Sequence, residues 1–560
     1  MRPRRSLPVL GGLRHAAATA TATAPKCKRV LLLAPRTIYD EQRDHVFNFS
    51  LTVATIAGAL LEAGHKVASR LLYLPWHEKW TAANEDWSGV DVVGITVNSA
   101  QLPAALALAE EVRRHAPSCV LVAGGAHATF APEELLCGGF DYCVLGEAET
   151  GFLQLLNALG DETSTSLDEV GGLVRLGEDG AVLRNADPVP SLELDTLPLP
   201  DWSIDDHARI LENNTHERLA QIRKYDFLTR NDRILGRLSI ESSRGCPYIC
   251  IFCTTNKVKG QAFRFKSARR VMAEHDAFRA FVKRYNPGAT GRIYATFVDD
   301  NFGHDKERVL EFCREIESRP EPLRPLWSVM CRASTVGDRS FTERIVGSGC
   351  VRIYIGAECG YAEGLKRTKK GLSIRILDSA ADVIATTPGL RRAVFSWILG
   401  FPWENRSKAF LTIGKALEIA RKNLQIIRSE IYTLTPFVGA DVSAELGEPG
   451  QRGLADIERA TWGFEHPLMS DADCLQLRQV ADLVMTACAF ARGAPVTIER
   501  LATLLSAPVL QEQGFGNDMA HALAQQTART NATQWAETEL LPQLQHHIAD
   551  SLSSSTDSEM

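Results

Sequence analysis

Strand-like and helix-like segments alternate along most of this chain, and they form two successive series. In the first series, apolar segments such as KRVLLLAP and CVLVAGG are separated by segments with helical spacing. Such alternation predicts a doubly wound parallel sheet with helices on both faces. The strands of this sheet are expected at 28–35, 66–74, 91–97, 119–125 and 141–147.

A second series begins near residue 236 and predicts six more parallel strands. Apolar segments such as CVRIYIGAE and AVFSWILGF again alternate with helical segments. Six units are fewer than the eight of a complete β/α barrel, so the pattern predicts a partial barrel. The strands are expected at 236–243, 294–300, 326–333, 350–358, 393–401 and 430–437, and the chain is expected to become mainly helical after 440.

These patterns predict an α/β protein whose parts follow one another along the chain. The expected parts are a disordered extension at 1–26, a Rossmann-like domain at 27–190, a linker at 191–235, a partial barrel at 236–440, a helical domain at 441–550 and a disordered tail at 551–560. The extension has four arginines and no acid, as a transit peptide would. The lack of an amphipathic apolar stripe favours disorder.

Composition excludes several classes of function. The formal charge of −6 gives no electrostatic reason to expect a nucleic-acid partner. No stretch approaches the roughly 20 apolar residues of a membrane span, and no secretory h-region is present. The 13 cysteines are an odd number with one tight group, which favours metal binding in a reducing compartment over a disulfide framework. We therefore expect a cytoplasmic protein.

The tight group consists of Cys246, Cys250 and Cys253, directly after the first strand of the second series. Three thiolates at this spacing can bind three irons of a cubane cluster and leave the fourth iron without a cysteine. A structural zinc site is the alternative, but it usually takes four ligands. The next cysteine, Cys313, lies 60 residues further on, so the sequence favours an iron–sulfur cluster.

This CxxxCxxC loop, placed after the first strand of a partial barrel, resembles the radical S-adenosylmethionine superfamily. The resemblance implies a 4Fe-4S cluster on the three cysteines, with S-adenosylmethionine bound to the open iron. It also implies that residues at the ends of later strands contact this cofactor, since barrel chemistry occurs there. The residues at those positions are Asp300, Arg332, Glu358 and Gly400.

The first domain resembles the cobalamin-binding domains that precede many barrels of this superfamily, through GGAHAT and DYCVLGEAE. No GxGxxG follows its first strand, which disfavours a dinucleotide. The resemblance implies cobalamin contacts at Ser99, Gly124, Gly125, His127, Thr129, Gly146, Glu147 and Glu149. No Asp-x-His-x-x-Gly follows the first strand, so we expect no histidine ligand from the protein beneath the cobalt.

In size and domain order the chain is similar to the tryptophan 2-methyltransferase branch of this family. That similarity implies a C-methyltransferase that moves a methyl group from S-adenosylmethionine, by way of methylcobalamin, to indole C2 of tryptophan in antibiotic biosynthesis. It also implies catalytic roles for Arg70, beneath the cobalt, and Glu274, near the open iron. A flavodoxin or ferredoxin is the expected electron donor. A surface charge at a strand end is the alternative for Arg70.

Three other functions are considered. One is a radical-initiated methylation of another small-molecule carbon or phosphinate with the same cofactors. A methylthiotransferase fits poorly, because the cysteines of the first domain lie in expected strands and helices. A cobalamin or redox sensor would not need a second cofactor site at the strand ends. Substrate contacts are expected among Tyr294, Asn301, Trp327, Trp397 and Trp403, although core packing explains most aromatic residues equally well.

Overall fold

The structure is a computed structural model that describes residues 27–37, 49–74, 77, 80–160, 166–213, 232–446, 466–492, 504, 534 and 536–556. Within these residues, each β/α series forms its own sheet, and helices cover both sheets. The predicted α/β fold is therefore confirmed. The described residues include no helix that is both long and apolar enough to cross a membrane. The expected extension at 1–26 lies outside them.

The first sheet has seven strands in the order β2-β1-β3-β4-β5-β6-β7. They are β1 (Arg29–Ala34), β2 (Lys66–Leu71), β3 (Val92–Thr96), β4 (Val120–Gly124), β5 (Tyr142–Val144), β6 (Leu173–Leu176) and β7 (Val182–Arg184). The first five are parallel, and β6 and β7 add an antiparallel hairpin. The strand order reverses at β1, and ligands of such sheets bind outside the carboxyl ends of the strands near that point.

Both faces of this sheet are buried, which explains the continuous apolar runs in its strands. In β1, Leu31 and Leu33 pack into one apolar cluster, and Val30 and Leu32 pack into another. The helices that cover the sheet are α1 (Leu51–Glu62), α2 (Leu102–His115), α3 (Ala126–Phe130), α4 (Pro132–Cys137) and α5 (Ala148–Ala158).

The expected linker is partly helical. Helix α6 (Asp205–Asn213) lies within it and contacts β2. The Asp206 carboxylate accepts a hydrogen bond from Leu71 N at 2.5 Å and lies 2.8 Å from His77 Nε2. The linker is thus attached to the edge of the first sheet.

The second sheet confirms the predicted partial barrel of six parallel strands, in the order β15-β14-β13-β12-β11-β8. These strands are β8 (Ile234–Ile240), β11 (Arg292–Phe297), β12 (Leu326–Arg332), β13 (Cys350–Glu358), β14 (Arg392–Leu399) and β15 (Ile427–Thr433). Two short strands, β9 (Ser243–Arg244) and β10 (Arg264–Phe265), form a separate antiparallel ribbon.

Helices cover the outer face of the barrel and form the largest core of the protein. The helices of this part of the chain are α7 (Thr255–Val258), which lies in the segment between β9 and β10, and α8 (Ala268–Tyr285), α9 (Lys306–Glu317), α10 (Ala333–Val336), α11 (Arg339–Gly347), α12 (Ala362–Arg367), α13 (Ile374–Thr386), α14 (Arg406–Arg421) and α15 (Asp441–Glu445). Trp327 and Trp397 are fully buried in this core. The expectation that they contact the substrate is therefore wrong, because their strands turn them toward the helices.

The C-terminal region contributes α16 (Asp471–Ala491) and α17 (Leu541–Thr556), which pack on α14. A π-helical turn at Ala536–Leu540 precedes α17. Most of the helices expected at 454–493, 498–512 and 517–548 lie outside the described residues. The disordered tail expected at 551–560 is corrected in part, because α17 continues to Thr556 from the buried anchors Leu541, Leu544 and Ile548.

Candidate active site between the two domains

The cysteine loop connects β9 to β10, and the pairing of these strands closes it. Gly245 has a φ of +87°, and a Cβ there would lie 2.2 Å from the carbonyl oxygen of Ala262. Only glycine fits such a position without strain. Cys246 N donates to the carbonyl oxygen of Gly260 at 3.1 Å. The backbone at the start of the loop is therefore fixed.

The three thiols are partly buried. Burial raises the pKa of Cys246 and of Cys250, and the nearby cations Lys370 and Arg332 oppose this rise at Cys250. Among the described residues, no three histidine, cysteine, aspartate or glutamate side chains converge on one metal position. Three thiols on one loop beside two cations nevertheless form a donor set that fits an anionic iron–sulfur cluster.

The structure brings two predicted strand-end residues, Arg332 and Glu358, to the cysteine loop. The Arg332 guanidinium lies 3.6 Å from the centroid of the Tyr248 ring, and it also donates to the carbonyl oxygen of Lys370. Lys370 in turn forms an ion pair with Glu358. Glu358 has a φ of +67°, which is uncommon outside glycine and is typical of functional sites.

Asp300 and Gly400, the other predicted strand-end residues, lie at the same edge of the barrel. Asp300 accepts a hydrogen bond from Thr255 Oγ1 at 3.2 Å and forms an ion pair with Lys259 at 3.2 Å. Gly400 N donates to Glu404 Oε2 at 2.6 Å. Each strand end is thus tied to a neighbouring loop or helix.

A cavity of about 580 Å³ lies between the carboxyl edge of the first sheet and the barrel. Five predicted cobalamin contacts line it, namely Gly124, Gly125, Gly146, Glu147 and Glu149. A Cβ at Gly124 would meet no atom closer than Val144 O at 3.8 Å, so this position faces open space. Apolar walls and small residues permit the close approach of a large flat ring and its side chain. The cavity therefore fits cobalamin.

The other three predicted contacts, Ser99, His127 and Thr129, are not among the described residues that line the cavity. Thr129 Oγ1 accepts from Gly146 N at 3.0 Å and donates to Gly125 O at 2.9 Å. His127 Nδ1 lies 3.2 Å from Ser99 Oγ, and burial lowers the pKa of this histidine. Thr129 therefore stabilises the turns at Gly125 and Gly146 by hydrogen bonds and does not line the cavity itself.

Arg70 and Glu274, the two predicted catalytic residues, have other partners in the structure. Arg70 forms two hydrogen bonds to Glu85, at 2.7 and 2.9 Å, and is not among the described residues that line the cavity. Glu274 is buried in α8 and forms ion pairs with Lys266 at 2.7 Å and Arg270 at 3.2 Å. Their catalytic roles remain predictions.

The barrel also contributes residues to the cavity that the sequence analysis missed. Arg244 donates to Glu147 at 2.9 Å, to Glu149 at 2.5 Å and to Glu241 at 2.6 Å, and Lys259 pairs with Glu241 at 2.6 Å. Burial alone would raise the pKa of Glu241, but Arg244 and Lys259 lower it to about 2. The cavity is therefore flanked by a buried ion network that joins the two domains.

Comparison with known proteins agrees with this geometry. Residues 48–156 match the B12 binding domain family. An uncharacterized methyltransferase of Pyrococcus horikoshii is 28% identical over 62% of this chain and 68% of its own length. The anaerobic magnesium-protoporphyrin IX monomethyl ester cyclase of Rubrivivax gelatinosus is 26% identical over 71% and 64%. The cytidylyl-2-hydroxyethylphosphonate methyltransferase of Streptomyces wedmorensis is 27% identical over 67% and 69%.

Two solved structures share the fold over most of the chain. The cobalamin-dependent S-adenosylmethionine radical enzyme OxsB, with aqua-cobalamin bound, matches 96% of this chain and 81% of its own, with a TM-score of 0.65 and 16% identity. The radical S-adenosylmethionine methyltransferase TsrM of Kitasatospora setae, with tryptophan and aza-SAM bound, matches 75% and 76%, with a TM-score of 0.55 and 18% identity.

The chain is thus similar to methyltransferases, shares the fold of cobalamin-dependent S-adenosylmethionine radical enzymes, and contains a region that matches the B12 binding domain family. Other structures of the same two proteins contain aqua-cobalamin with S-adenosylmethionine, in OxsB, and cobalamin with a [4Fe-4S] cluster, in TsrM. The named relatives act on different molecules, so these similarities do not identify a substrate.

Proposed function

We propose that this enzyme transfers a methyl group from S-adenosylmethionine to a carbon of a small-molecule substrate, with cobalamin in the interdomain cavity and the cluster on Cys246, Cys250 and Cys253. One observation carries the proposal. Val258 and Lys259, on the same loop as the cysteines, line the cavity. The proposed sites of cluster and cobalamin therefore share one loop.

The strand-end residues have defined roles in this proposal. The cluster supplies an open iron for the amino and carboxyl groups of S-adenosylmethionine, and cobalamin supplies a cobalt that accepts and donates methyl groups. Arg332 and Lys370 offer positive charge to the carboxylate of S-adenosylmethionine, and Asp300 and Glu358 offer acceptors for its hydroxyl and amino groups. All four residues lie at the edge of the barrel that carries the cysteines.

Tryptophan, methylated at indole C2, is the first substrate to test. Its support is the shared fold and domain order with TsrM, whose structure contains tryptophan. Arg70 and Glu274 add no support for tryptophan methylation, because Arg70 forms an ion pair with Glu85 and Glu274 forms one with Lys266. We keep a flavodoxin or ferredoxin as the proposed electron donor.

The test is anaerobic reconstitution with iron, sulfide and cobalamin, followed by incubation with S-adenosylmethionine and tryptophan and mass spectrometry. The proposal predicts 2-methyltryptophan together with S-adenosylhomocysteine, and no 5′-deoxyadenosine. Omission of cobalamin is the matched control and should abolish both products. If neither the cluster nor cobalamin binds, the proposal is wrong.

A second candidate is radical-initiated methylation of another carbon or of a phosphinate. The observation that favours it is the 27% identity over 401 residues to the cytidylyl-2-hydroxyethylphosphonate methyltransferase of Streptomyces wedmorensis. In the same assay, 5′-deoxyadenosine without methyltryptophan would favour this candidate over tryptophan methylation.

A further inference from the structure

A strongly basic segment follows the fourth strand of the barrel. Residues 364–377, which include the end of α12 and the start of α13, contain five cations and no acid, in a chain whose formal charge is −6. The cations are Lys366, Arg367, Lys369, Lys370 and Arg375. Lys370 forms an ion pair with Glu358, whereas Lys366, Arg367 and Lys369 are exposed. We call residues 366–369 the basic turn.

The basic turn packs directly on the cysteine loop. Thr368, which is fully buried within the turn, accepts a hydrogen bond through its carbonyl oxygen from Ile251 N at 3.2 Å. Ile251 lies between Cys250 and Cys253. The exposed cations are therefore only one or two residues away from a backbone contact with the proposed cluster site.

Two of the exposed cations carry charge that is available to a partner. Lys366 and Lys369 form no side-chain hydrogen bond or ion pair with any residue that the structure describes. The third cation, Arg367, lies 4.0 Å from Glu445. Glu363, the acid that precedes the turn, pairs instead with a lysine of α14 at 3.0 Å. The turn therefore presents uncompensated positive charge beside the cysteine loop.

The backbone of Lys369 is a second sign that its side chain has a function. Lys369 has a φ of +53° and lies just after the C-cap of α12. Glycine is the usual residue at such a left-handed position, because a side chain is strained there. Glu358 is the other non-glycine residue with a positive φ among the described residues. Strain of this kind is typical of functional sites.

A positively charged surface beside a redox centre fits a negatively charged redox protein. Opposite charges accelerate the encounter of two proteins and set their orientation. Electron transfer is slow unless the docked partner brings its own redox group close to the cluster. The net negative charge of the whole chain repels an acidic protein, so the basic turn would direct such a protein to the side that carries the cysteine loop.

We propose that the basic turn docks a small acidic one-electron carrier protein, of the flavodoxin or ferredoxin type, against the cysteine loop. The inference rests on the proposed function, because it takes the three cysteines of the loop to hold a cluster. The reduced carrier gives up one electron, the cluster takes up that electron, and no bond is made or broken. Lys366 and Lys369 hold the carrier in place and do not contact the cluster.

The test measures docking and electron transfer separately. Fluorescence anisotropy of a labelled flavodoxin of strongly negative net charge gives its Kd for the reconstituted enzyme. Stopped-flow absorbance gives the rate at which the reduced flavodoxin reduces the cluster. At low ionic strength, we expect the double variant Lys366→Gln, Lys369→Gly to raise the Kd about fivefold and to slow the reduction by a similar factor. Added salt should weaken binding to the parent more than binding to the variant.

Three controls separate docking from other effects. Lys369→Gly alone removes one charge and relieves the left-handed backbone, so weaker docking by this variant cannot come from misfolding. Lys283→Gln is the matched variant, because Lys283 is an exposed lysine near the end of α8, at the opposite edge of the barrel. It should bind flavodoxin as the parent does. Dithionite, a small reductant that needs no docking surface, should reduce the cluster of every variant at the parent rate.

The inference is overturned if flavodoxin does not bind, if the double variant binds it like the parent, or if the double variant slows dithionite equally. Tighter binding of a short RNA than of flavodoxin would also overturn it, because the partner would then be a nucleic acid. Formation of S-adenosylhomocysteine with dithionite as the reductant tests the proposed function separately. That reaction can fail while flavodoxin still docks, or succeed while flavodoxin does not.

Discussion

Arg244 in the barrel donates from Nη1 to Oε2 of Glu147 in the B12 domain at 2.9 Å, and both side chains are less than one-tenth exposed. Arg244 stands two residues before Cys246, and Glu147 lines the interdomain cavity. The same guanidinium binds Glu149 and Glu241. Arg264 also pairs with Glu147, so these two arginines of the barrel link the cysteine loop to the wall of the proposed cobalamin site.

Removal of the Arg244 side chain should loosen the joint between the domains. Arg244→Ala leaves the buried Glu149 without its cation, whereas Glu147 keeps Arg264 and Glu241 keeps Lys259. Breaking a buried pair typically costs about 3–5 kcal/mol. We expect the urea midpoint to fall and cobalamin retention to drop together. Arg339→Ala, which removes a half-exposed pair with Glu343, is the control and should cost less than about 1 kcal/mol. Equal effects of the two variants would contradict the account.

Filling the cavity should displace cobalamin without unfolding the chain. A side chain at Gly124 would point into open space, so Gly124→Val is expected to fold and to raise the Kd for cobalamin at least tenfold. Gly288→Val is the control, because a Cβ there meets no atom within 4 Å and the residue does not line the cavity. Circular dichroism checks folding, and absorbance after gel filtration measures bound cobalamin. Unchanged cobalamin binding by Gly124→Val would show that the cofactor binds elsewhere.

Each cysteine of the loop should be required for the cluster. Cys246→Ala, Cys250→Ala and Cys253→Ala are expected to reduce iron and sulfide after reconstitution to near background, because three thiolates hold the cubane. Cys137→Ala is the matched control, since Cys137 is exposed and lies in the first domain. Retention of a normal iron content in any loop variant would contradict the assignment of that cysteine.

Stability should depend on pH through Glu404. Burial raises the pKa of Glu404 from 4.5 to about 7, while donors at Gly400, Phe401 and Tyr361 oppose the rise. The folded state therefore binds the proton more tightly than the unfolded state. This contribution is present at low pH and is lost as the pH rises from about 4.5 to 7. Its full size is about 3 kcal/mol.

Urea denaturation of the parent and of Glu404→Gln at pH 5, 6, 7 and 8 measures this effect. The stability of the parent, relative to the variant, should fall between pH 5 and pH 7 and then level off. Parallel pH profiles for the two proteins would contradict the raised pKa.

The features that depend on short segments of the sequence, namely the strands, the glycine turns and the cysteine loop, were predicted. Periodicity located the eleven parallel strands of the described residues. The glycines at the ends of β4 and β5 indicated the cavity wall, because a close approach of backbone to ligand needs small residues. The cysteine spacing located the loop. Arg332 and Glu358 could be predicted as neighbours of that loop because parallel strands end at one edge of a barrel.

Contacts between distant segments could not be predicted. The resemblance implied catalytic roles for Arg70 and Glu274, but Glu85 and Lys266 form ion pairs with them, and residue spacing alone does not reveal such pairs. Arg244 was missed for the same reason, because its importance depends on how the two domains meet.

The most direct test of the central claim uses no substrate. The reconstituted enzyme is reduced and incubated with S-adenosylmethionine carrying a ¹³C-labelled methyl group, and the corrinoid fraction is examined by mass spectrometry. The account predicts one labelled methyl per cobalamin and an equal amount of S-adenosylhomocysteine, both absent without cobalamin. An unlabelled corrinoid fraction, with S-adenosylhomocysteine no higher than in the cobalamin-free sample, would contradict it.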